Sequence, residues 1–374
     1  MIRQLVLVAA AAFTASCITA KPAEPVRFSG APCVRPPPMH CPDADCPGDM
    51  VTNQGAVIEP KSGRTFFLDY PCDLKPGEKV TVVLALHGGG SYGNWQRNYA
   101  PFMDYVDKYR LIVATPNTRG WSEADDPYLH NIVDSVLDTV GRKNVKNFWL
   151  SGHSMGGFNA RRMVCSPYFR DKVDGLLSLS GGRLGNPPDA PQPVFNIPPT
   201  NDSDGRTGAF TVTGPGAPGA APLAGARPPG GPPGGSGPFG LIAAAASAPS
   251  DCDFSYIFAN GEHEPSAQSL ATTSSWAEKY ACKPRKVTET ITDAKGGYVY
   301  DGSRQKYGNP AWGRLPRGGA AKVMEYGGCK DGRVVADVMR LDKGHTEGLE
   351  PHVMERLIQM MEHAKSGKLR ASAS

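Results

Sequence analysis

Short apolar runs alternate with amphipathic stretches along most of the chain. Continuous apolar runs are typical of strands that helices cover on both faces, whereas apolar residues at helical spacing predict helices. Following a first strand at residues 64–70, apolar runs predict strands at 79–86, 111–115, 145–150, 173–179, 253–259 and 334–341. Helices are predicted over residues 99–109, 126–140, 155–164, 266–280 and 349–364. The alternation predicts an α/β fold with roughly six central, mostly parallel strands, one or two more at the amino-terminal side, and helices on both faces.

One segment interrupts this alternation. Residues 183–250 are dominated by proline, glycine and alanine, and they hold too few large apolar side chains to offset the entropy lost on ordering. Because the alternation resumes afterwards, we expect a disordered insertion inside a single domain of residues 63–367. Residues 21–62, rich in proline and cysteine, are expected to be an extended lead-in, and residues 368–374 a disordered tail.

The amino terminus has the pattern of a secretory signal. Arg3 is followed by an apolar stretch over residues 5–13 and then by small residues, and the stretch is too short to span a membrane. We expect residues 1–20 to be removed and the protein to be secreted, or to lie in the periplasm or at the cell surface. The residues up to Cys17 also resemble a lipoprotein box, but Thr14 stands where an aliphatic residue is usual, so export without a lipid anchor is favoured.

The cysteines agree with export. Nine cysteines less Cys17 leave eight, and an even number in an exported chain predicts disulfides whose pairing the sequence does not determine. The irregular spacing of Cys33, Cys41 and Cys46 favours a disulfide staple over a zinc site. Cys165, at the end of a predicted helix, is the first candidate for a free, buried thiol.

The charge distribution excludes one class of partner. The net charge is only +4, and lysine and arginine are scattered singly rather than clustered. Nucleic-acid-binding surfaces need a basic patch, so no nucleic-acid partner is expected.

A candidate nucleophile lies in the sequence Gly152-His153-Ser154-Met155-Gly156, between a predicted strand and a predicted helix. This is the G-x-S-x-G pattern in the strand–turn–helix context that presents a serine hydroxyl at the carboxyl edge of a sheet. We therefore predict that Ser154 is a nucleophile rather than a structural turn residue.

A serine needs a base to accept its proton, and histidine is the usual base. His345 follows the last predicted strand and precedes the last helix, which places it at the same sheet edge. His352 and His363 fall inside that helix and are expected on its surface, whereas His153 and His263 come too early in the chain.

The acid that orients the base is expected after the preceding strand, in the order serine, acid, histidine. That strand ends in Asn260-Gly261-Glu262-His263-Glu264, which offers two carboxylates. Glu264 is the predicted acid and Glu262 the alternative. The His263-Glu264 pair does not extend to H-E-x-x-H, so a zinc peptidase is excluded.

The third requirement is a set of backbone N–H groups for the negative charge that develops on the substrate oxygen. A His87-Gly88-Gly89-Gly90 sequence follows a buried strand directly. Glycines let the backbone approach a substrate closely, so Gly88 or Gly89 is expected to supply one donor and Met155 the other.

Together these motifs resemble the α/β-hydrolase superfamily, and within it the secreted esterases grouped with poly(3-hydroxybutyrate) depolymerases and feruloyl esterases. The resemblance rests on LHGGG (86–90), GHSMGG (152–157), NGEHEP (260–265), SWAEKYAC (275–282) and KGHTEG (343–348). In that family the acid motif usually runs His-Gly-two residues-Asp, and here Asn260 and Glu264 replace the first and last residues. The resemblance implies an α/β-hydrolase fold, ester hydrolysis through an acyl-enzyme without metal or organic cofactor, and a polyester or aromatic-acid ester as substrate.

Two other functions remain open. One is a serine peptidase of the same fold, and the other is a non-catalytic binding protein that presents the insertion to a cell wall or a partner. Trp95, Trp121 and Trp276 are candidates for pocket walls, although core packing is the expected role of any one of them. The insertion leaves the active-site edge of the sheet and is expected to restrict access to it.

Overall fold

A computed structural model describes residues 23–28, 31, 33, 55–118, 120–184, 252–264, 267, 270–300, 305, 308–365 and 367–371. The predicted signal with Cys17, the cysteines Cys41 and Cys46, and all but the first two residues of the predicted insertion lie outside the described residues.

The described part of the chain forms a sheet of ten strands in the order β1-β2-β4-β3-β5-β6-β7-β10-β9-β8. The strands are β1 (Val57–Ile58), β2 (Thr65–Asp69), β3 (Val80–Leu86), β4 (Leu111–Pro116), β5 (Val145–His153), β6 (Gly175–Leu179), β7 (Ser255–Gly261), β8 (Arg285–Asp293), β9 (Gly319–Tyr326) and β10 (Val335–Leu341).

Six central strands, from β4 to β10 in this order, are parallel, while β1 and β2 at one side and β9 and β8 at the other are antiparallel. The central strands agree with the prediction. The pair β8 and β9 was not predicted, because most residues of β8 are exposed and it therefore carries no apolar run. The parallel arrangement brings the carboxyl ends of β3, β5, β6, β7 and β10 to one edge of the sheet.

Helices cover both faces of the sheet, which confirms the predicted fold class. They are α1 (Gly93–Tyr99), α2 (Val106–Tyr109), α3 (Asp126–Val140), α4 (Met155–Met163), α5 (Ser275–Lys279), α6 (Pro351–His363) and α7 (Lys368–Ala371). One buried apolar cluster joins the sheet to α3, α4, α5 and α7, and a second cluster joins the opposite face to α1, α2 and α6. Burial of these two apolar layers is the main force that holds the helices on the sheet.

Three predicted elements differ from the structure. The helix expected over residues 99–109 is divided, because Pro101 separates α1 from a short turn and α2. The helix expected over residues 266–280 is represented by α5, which starts where the Ser274 hydroxyl accepts the Ala277 N–H. The first residues of the expected tail form α7, whose Leu369 is buried.

Disulfides pair Cys33 with Cys72, Cys165 with Cys252, and Cys282 with Cys329. The prediction that Cys165 is free is therefore wrong, since its partner lies 87 residues away at the start of the segment leading into β7. The Cys33–Cys72 bond joins the lead-in to the residues after β2. Within the described ranges, no helix has both the length and the apolar character needed to span a membrane.

Candidate active site

Ser154 lies in the sharp turn between β5 and α4. Its backbone has φ 51° and ψ −118°, a left-handed φ that is uncommon outside glycine. The turn depends on its glycines, because a Cβ on Gly152 would overlap the Gly156 backbone and a Cβ on Gly156 would overlap the Leu86 carbonyl. This close approach lets α4 start directly above β3 and β5, and it presents the serine at the carboxyl edge of the sheet.

His345 lies in the loop after β10, and its Nε2 is 2.9 Å from the Ser154 Oγ. The loop is anchored by the long connection between β8 and β9, since the His345 N–H donates to the Ala311 carbonyl and the Thr346 N–H to the Trp312 carbonyl. The Trp312 ring also lies beside the imidazole, with ring centroids 5.4 Å apart. The connection between β8 and β9 thus fixes the backbone on which the imidazole is carried.

Glu264 lies in the loop after β7 and is fully buried. Its Oε2 is 2.8 Å from the His345 Nδ1, and its Oε1 accepts hydrogen bonds from the Ser180 hydroxyl at 2.7 Å and the Gly261 N–H at 2.6 Å. An ionised carboxylate only accepts, so the His345 Nδ1–H donates to it. Nε2 is then left to accept the Ser154 hydroxyl proton.

Glu262, the alternative acid, is not brought to His345. Its exposed carboxylate accepts the Asp342 N–H at 2.8 Å instead. Three of the histidines that were set aside also lie elsewhere: His263 contacts Asp342 at 2.6 Å, His352 contacts Asp293, and His363 is exposed.

The glycine-rich loop after β3 passes beside the nucleophile, because a Cβ on Gly88 would lie 3.4 Å from the Ser154 Cβ. The buried His87 donates from Nδ1 to the Gly88 carbonyl at 2.7 Å, and the Ser91 N–H donates to the same oxygen. A trans peptide directs its C=O and N–H to opposite sides, so this anchoring also sets the direction of the Gly89 N–H.

His87 is held neutral in this position. Its burial lowers the pKa of the imidazole to about 4, and its Nε2 accepts the Thr118 N–H. Trp121 donates from its indole N–H to the His87 carbonyl at 2.7 Å. The Met155 N–H, in the first turn of α4, has no acceptor within the helix and is available at the same edge.

Several residues whose contacts the sequence analysis did not predict surround the site. His153 stacks on Tyr99 with centroids 3.8 Å apart, and its Nε2 donates to the His345 carbonyl at 2.9 Å. Desolvation, with the neighbouring His345 as the second cause, lowers the pKa of His153 well below its usual value. His153 lies inside the G-x-S-x-G sequence, so its position was visible, but no local pattern identifies its distant contact.

Tyr300 was missed because it belongs to the connection between β8 and β9, which has no strand or helix pattern. Its ring contacts the rings of Trp95, Tyr99 and His153. Its hydroxyl would lie 3.1 Å from a Cβ on Gly88. Of the tryptophans considered for pocket walls, Trp95 therefore lies in the aromatic layer near the site.

Trp276 has a packing role instead. It stacks on Phe254 in the core, with ring centroids 4.3 Å apart. Among the described residues, no group of His, Cys, Asp and Glu side chains has an arrangement that could hold a metal ion.

Two curated proteins with similar sequences each match part of the chain. The 2-hydroxy-6-oxo-6-phenylhexa-2,4-dienoate hydrolase of Comamonas testosteroni is 27% identical over 158 residues, which are 39% of this chain and 51% of that protein. A 2-succinyl-6-hydroxy-2,4-cyclohexadiene-1-carboxylate synthase of Escherichia coli is 33% identical over 92 residues, 24% of this chain and 34% of that protein. The matched part thus spans about half of the first relative and a third of the second.

Among solved structures, one match is the acetyl xylan esterase from Aspergillus awamori. It has a TM-score of 0.41 and 14% sequence identity, over 82% of this chain and 96% of that chain. The model of the alpha/beta hydrolase family matches residues 82–364, which include the nucleophile turn, the loop of Glu264 and the loop of His345. Because this match spans most of the chain, the protein belongs to the alpha/beta hydrolase family.

Proposed function

We propose that this protein is a serine esterase that hydrolyses carboxylic esters through an acyl-enzyme. The proposal is supported above all by the continuous hydrogen-bonded series Ser154–His345–Glu264 at the carboxyl edge of the sheet. The order and the hydrogen-bond directions are those that activate a serine: the acid orients the base, and the base faces the hydroxyl.

In the proposed reaction, the Ser154 oxygen attacks the ester carbonyl carbon while His345 accepts the hydroxyl proton. The negative charge that develops on the carbonyl oxygen is stabilised by the N–H groups of Gly89 and Met155, with Gly88 beside them. A preorganised donor of this kind contributes about 3 kcal/mol to lowering the barrier.

The tetrahedral intermediate then loses the alcohol, which takes the proton from His345, and the acyl group stays on Ser154. Water attacks this ester in a second step, again giving its proton to His345. The second tetrahedral intermediate then collapses, the bond between the acyl carbon and the Ser154 oxygen breaks, and His345 returns the proton to that oxygen, which releases the acid and restores the free serine. Glu264 stabilises the imidazolium that forms in both steps.

We further propose that the substrate is a polyester or an aromatic-acid ester, as the resemblance to depolymerases and feruloyl esterases implies. We also propose that the protein is exported. The three disulfides support export, because such bonds persist in oxidising compartments.

The first experiment compares the wild type with Ser154→Ala, Glu264→Gln and Glu262→Gln on p-nitrophenyl acetate, butyrate and octanoate. Ser154→Ala is expected to lose activity by at least about 10³-fold. Glu264→Gln is expected to lower kcat by about 10²- to 10⁴-fold. The amide can donate to the His345 Nδ1, which favours the tautomer that carries its proton on Nε2 and cannot accept the serine proton. Glu262→Gln, the matched control two residues away, should stay close to wild type. Full activity of Ser154→Ala would overturn the proposal.

The same enzymes are then tested on 3-hydroxybutyrate oligomers and methyl ferulate. If one of these two substrates is hydrolysed faster than the p-nitrophenyl esters, the preferred acyl group is a hydroxyalkanoate or an aromatic acid accordingly. If matched peptide amides are turned over faster than any ester, the protein is a peptidase instead.

A further inference from the structure

Ser180 occupies an unusual backbone position at the carboxyl end of β6. Its φ is 52°, in the left-handed region that glycine adopts without strain and other residues do not. Its N–H donates to the Ala259 carbonyl at 2.8 Å, which ties the end of β6 to β7. Gly181 and Gly182 follow directly in the sequence, yet a serine stands at the strained position. The chain therefore has a hydroxyl at a backbone position that glycine would adopt with less strain.

That hydroxyl contacts the acid of the proposed triad. The Ser180 Oγ lies 2.7 Å from the Glu264 Oε1, and both residues are buried. Because the carboxylate accepts, the serine hydroxyl donates to it. The Tyr99 hydroxyl, 3.4 Å from the Ser180 Oγ, is then in position to donate to the serine oxygen. The hydrogen-bond direction runs from Tyr99 through Ser180 to Glu264.

This contact determines how the carboxylate is oriented. Ser180 and the Gly261 N–H both hold Oε1, which leaves Oε2 directed at the His345 Nδ1. Without the Ser180 hydroxyl, Oε1 would keep one donor from the protein and the carboxylate could rotate about its last bond. The charge on the carboxylate would also be less dispersed.

Tyr99 connects this support to the other side of the triad. Its ring stacks on His153, which donates to the His345 carbonyl. Glu264 is therefore held through Ser180, and His345 through His153, by side chains that meet at one buried tyrosine. The His153 arm also borders the glycine-rich loop, because a Cβ on Gly88 would lie 3.0 Å from the His153 Nδ1.

We propose that Ser180 is a positioning residue of the triad, whose hydroxyl directs Glu264 toward His345 from a strained left-handed backbone. The inference rests on the proposed esterase function, since it assigns Ser180 a role in orienting that triad. Ser180 does not touch the reacting atoms and acts through Glu264.

Two substitutions separate the hydroxyl from the backbone strain. Ser180→Gly removes both, whereas Ser180→Ala removes the hydroxyl and keeps the strain. Both are expected to lower kcat by about 10- to 100-fold, the range for one hydrogen bond to a charged group, with KM within about twofold. Ser180→Gly should melt at or above the temperature of Ser180→Ala, because glycine accepts the left-handed region.

The matched control is Ser178→Ala. Ser178 is buried on the same strand, and its hydroxyl donates to the Gly182 carbonyl rather than to a triad residue. Its kcat should stay within about twofold of wild type. A loss of kcat that follows the loss of thermal stability across all three variants would indicate a structural role and overturn the inference.

Two further measurements, a pH profile and an NMR signal, test the positioning role independently of kcat. Loss of the donor concentrates negative charge beside His345, so the acidic limb of the kcat/KM profile is expected to move to higher pH in Ser180→Gly. The proton between His345 and Glu264 should give a low-field NMR signal that is absent in Glu264→Gln and shifted in Ser180→Gly.

The NMR signal needs no substrate turnover, so it separates the two proposals. If the wild type hydrolyses none of the esters but the signal shifts in Ser180→Gly, the esterase function fails and the positioning role stands. An unchanged signal, or a Ser180→Gly enzyme with wild-type kcat, overturns the positioning role even when the esterase activity is real.

Discussion

Two histidines near Ser154, apart from the proposed base His345, act as neutral hydrogen-bond donors at fixed positions. His87 and His153 are both buried, and desolvation lowers the pKa of each. A neutral imidazole has one N–H, and each of these two residues uses it on a main-chain carbonyl: that of Gly88 for His87, and that of His345 for His153. They therefore set the position of backbone rather than exchange protons.

His87 is expected to make the protein acid-sensitive. Its pKa is about 4 in the folded state against 6.5 for the free group, so between these values the unfolded chain binds more protons. The contribution of His87 to the free energy of unfolding is therefore fully present above pH 6.5 and is lost as the pH falls toward 4. This loss amounts to up to ~3 kcal/mol.

Urea unfolding across this pH range measures the effect. His87→Asn keeps a donor near the Gly88 carbonyl without a titrating ring, and its stability should fall less steeply than that of the wild type. His363→Asn, at an exposed position on α6, serves as the control and should follow the wild-type slope. Identical slopes for all three proteins would contradict the assignment.

At the scale of elements, the loops after β7 and β10 are joined side by side. The parallel register pairs Gly261 with Arg340, and the Glu262 N–H donates to the Arg340 carbonyl. The His263 N–H donates to the Lys343 carbonyl in turn. The loops that carry the proposed acid and base are thus joined by backbone hydrogen bonds as well as by the contact between their side chains.

A buried ionic cluster of Arg340, Lys343, Glu347 and Glu350 holds the loop of His345 in place. Arg340 forms two hydrogen bonds with the Glu350 carboxylate and also donates to the carbonyls of Glu347 and Gly348. The Lys343 ammonium lies 2.8 Å from Glu350 and 3.4 Å from Glu347. Burial raises the pKa of Glu350, but Arg340 and Lys343 more than offset this and hold it below its usual value.

Removal of one charge from this cluster should therefore be costly. Lys343→Met leaves buried carboxylates with less compensation, and it is expected to lower the free energy of unfolding by about 3–5 kcal/mol. Lys322→Met, at an exposed position on β9, is the matched control and should change it by less than about 0.5 kcal/mol. Urea unfolding followed by circular dichroism compares the two, and a Lys343→Met protein as stable as the control would refute the role of the cluster.

At the scale of the whole molecule, disulfides hold segments that the sheet does not. Cys33–Cys72 attaches the lead-in, and Cys165–Cys252 joins the end of α4 to the chain that enters β7. The second bond closes a loop of 87 residues, which includes the predicted insertion. A cross-link that closes such a loop reduces the conformational entropy of the unfolded chain. In the chain-entropy description this stabilises the folded protein by about 4–5 kcal/mol.

Under the proposed export, the mature protein is expected to begin at Lys21. Cys165 and Cys252 are expected to be unreactive toward iodoacetamide until the protein is reduced. The double variant Cys165→Ser/Cys252→Ser should unfold at lower urea concentration, with a loss of up to about 4–5 kcal/mol. Intact mass before and after reduction tests the pairing, and Cys33→Ser/Cys72→Ser provides the comparison for a loop of 39 residues. Alkylation of Cys165 in the unreduced protein would contradict the pairing.

Local sequence was sufficient where each signal lies within a few residues. The helix predicted over residues 126–140 agrees with α3, because Pro127 at its start, Gly141 at its end and the apolar spacing between them are all local. The turn at Ser154 is local in the same way, although the catalytic roles of Ser154, His345 and Glu264 stay predictions. Strand β8 lacked such a signal, since an edge strand with exposed faces needs no apolar run.

The sequence alone determined the six central parallel strands and most of the helices between them, and hence the family fold with a serine at the turn after β5, because these depend on short-range patterns. Only the tertiary structure decided which glutamate meets His345, which cysteine pairs with Cys165, and that Ser180 contacts Glu264. These contacts join residues 81, 87 and 84 positions apart. Such contacts are set by how strands align in the sheet and by how loops turn at its edge, and no local pattern of side chains encodes either.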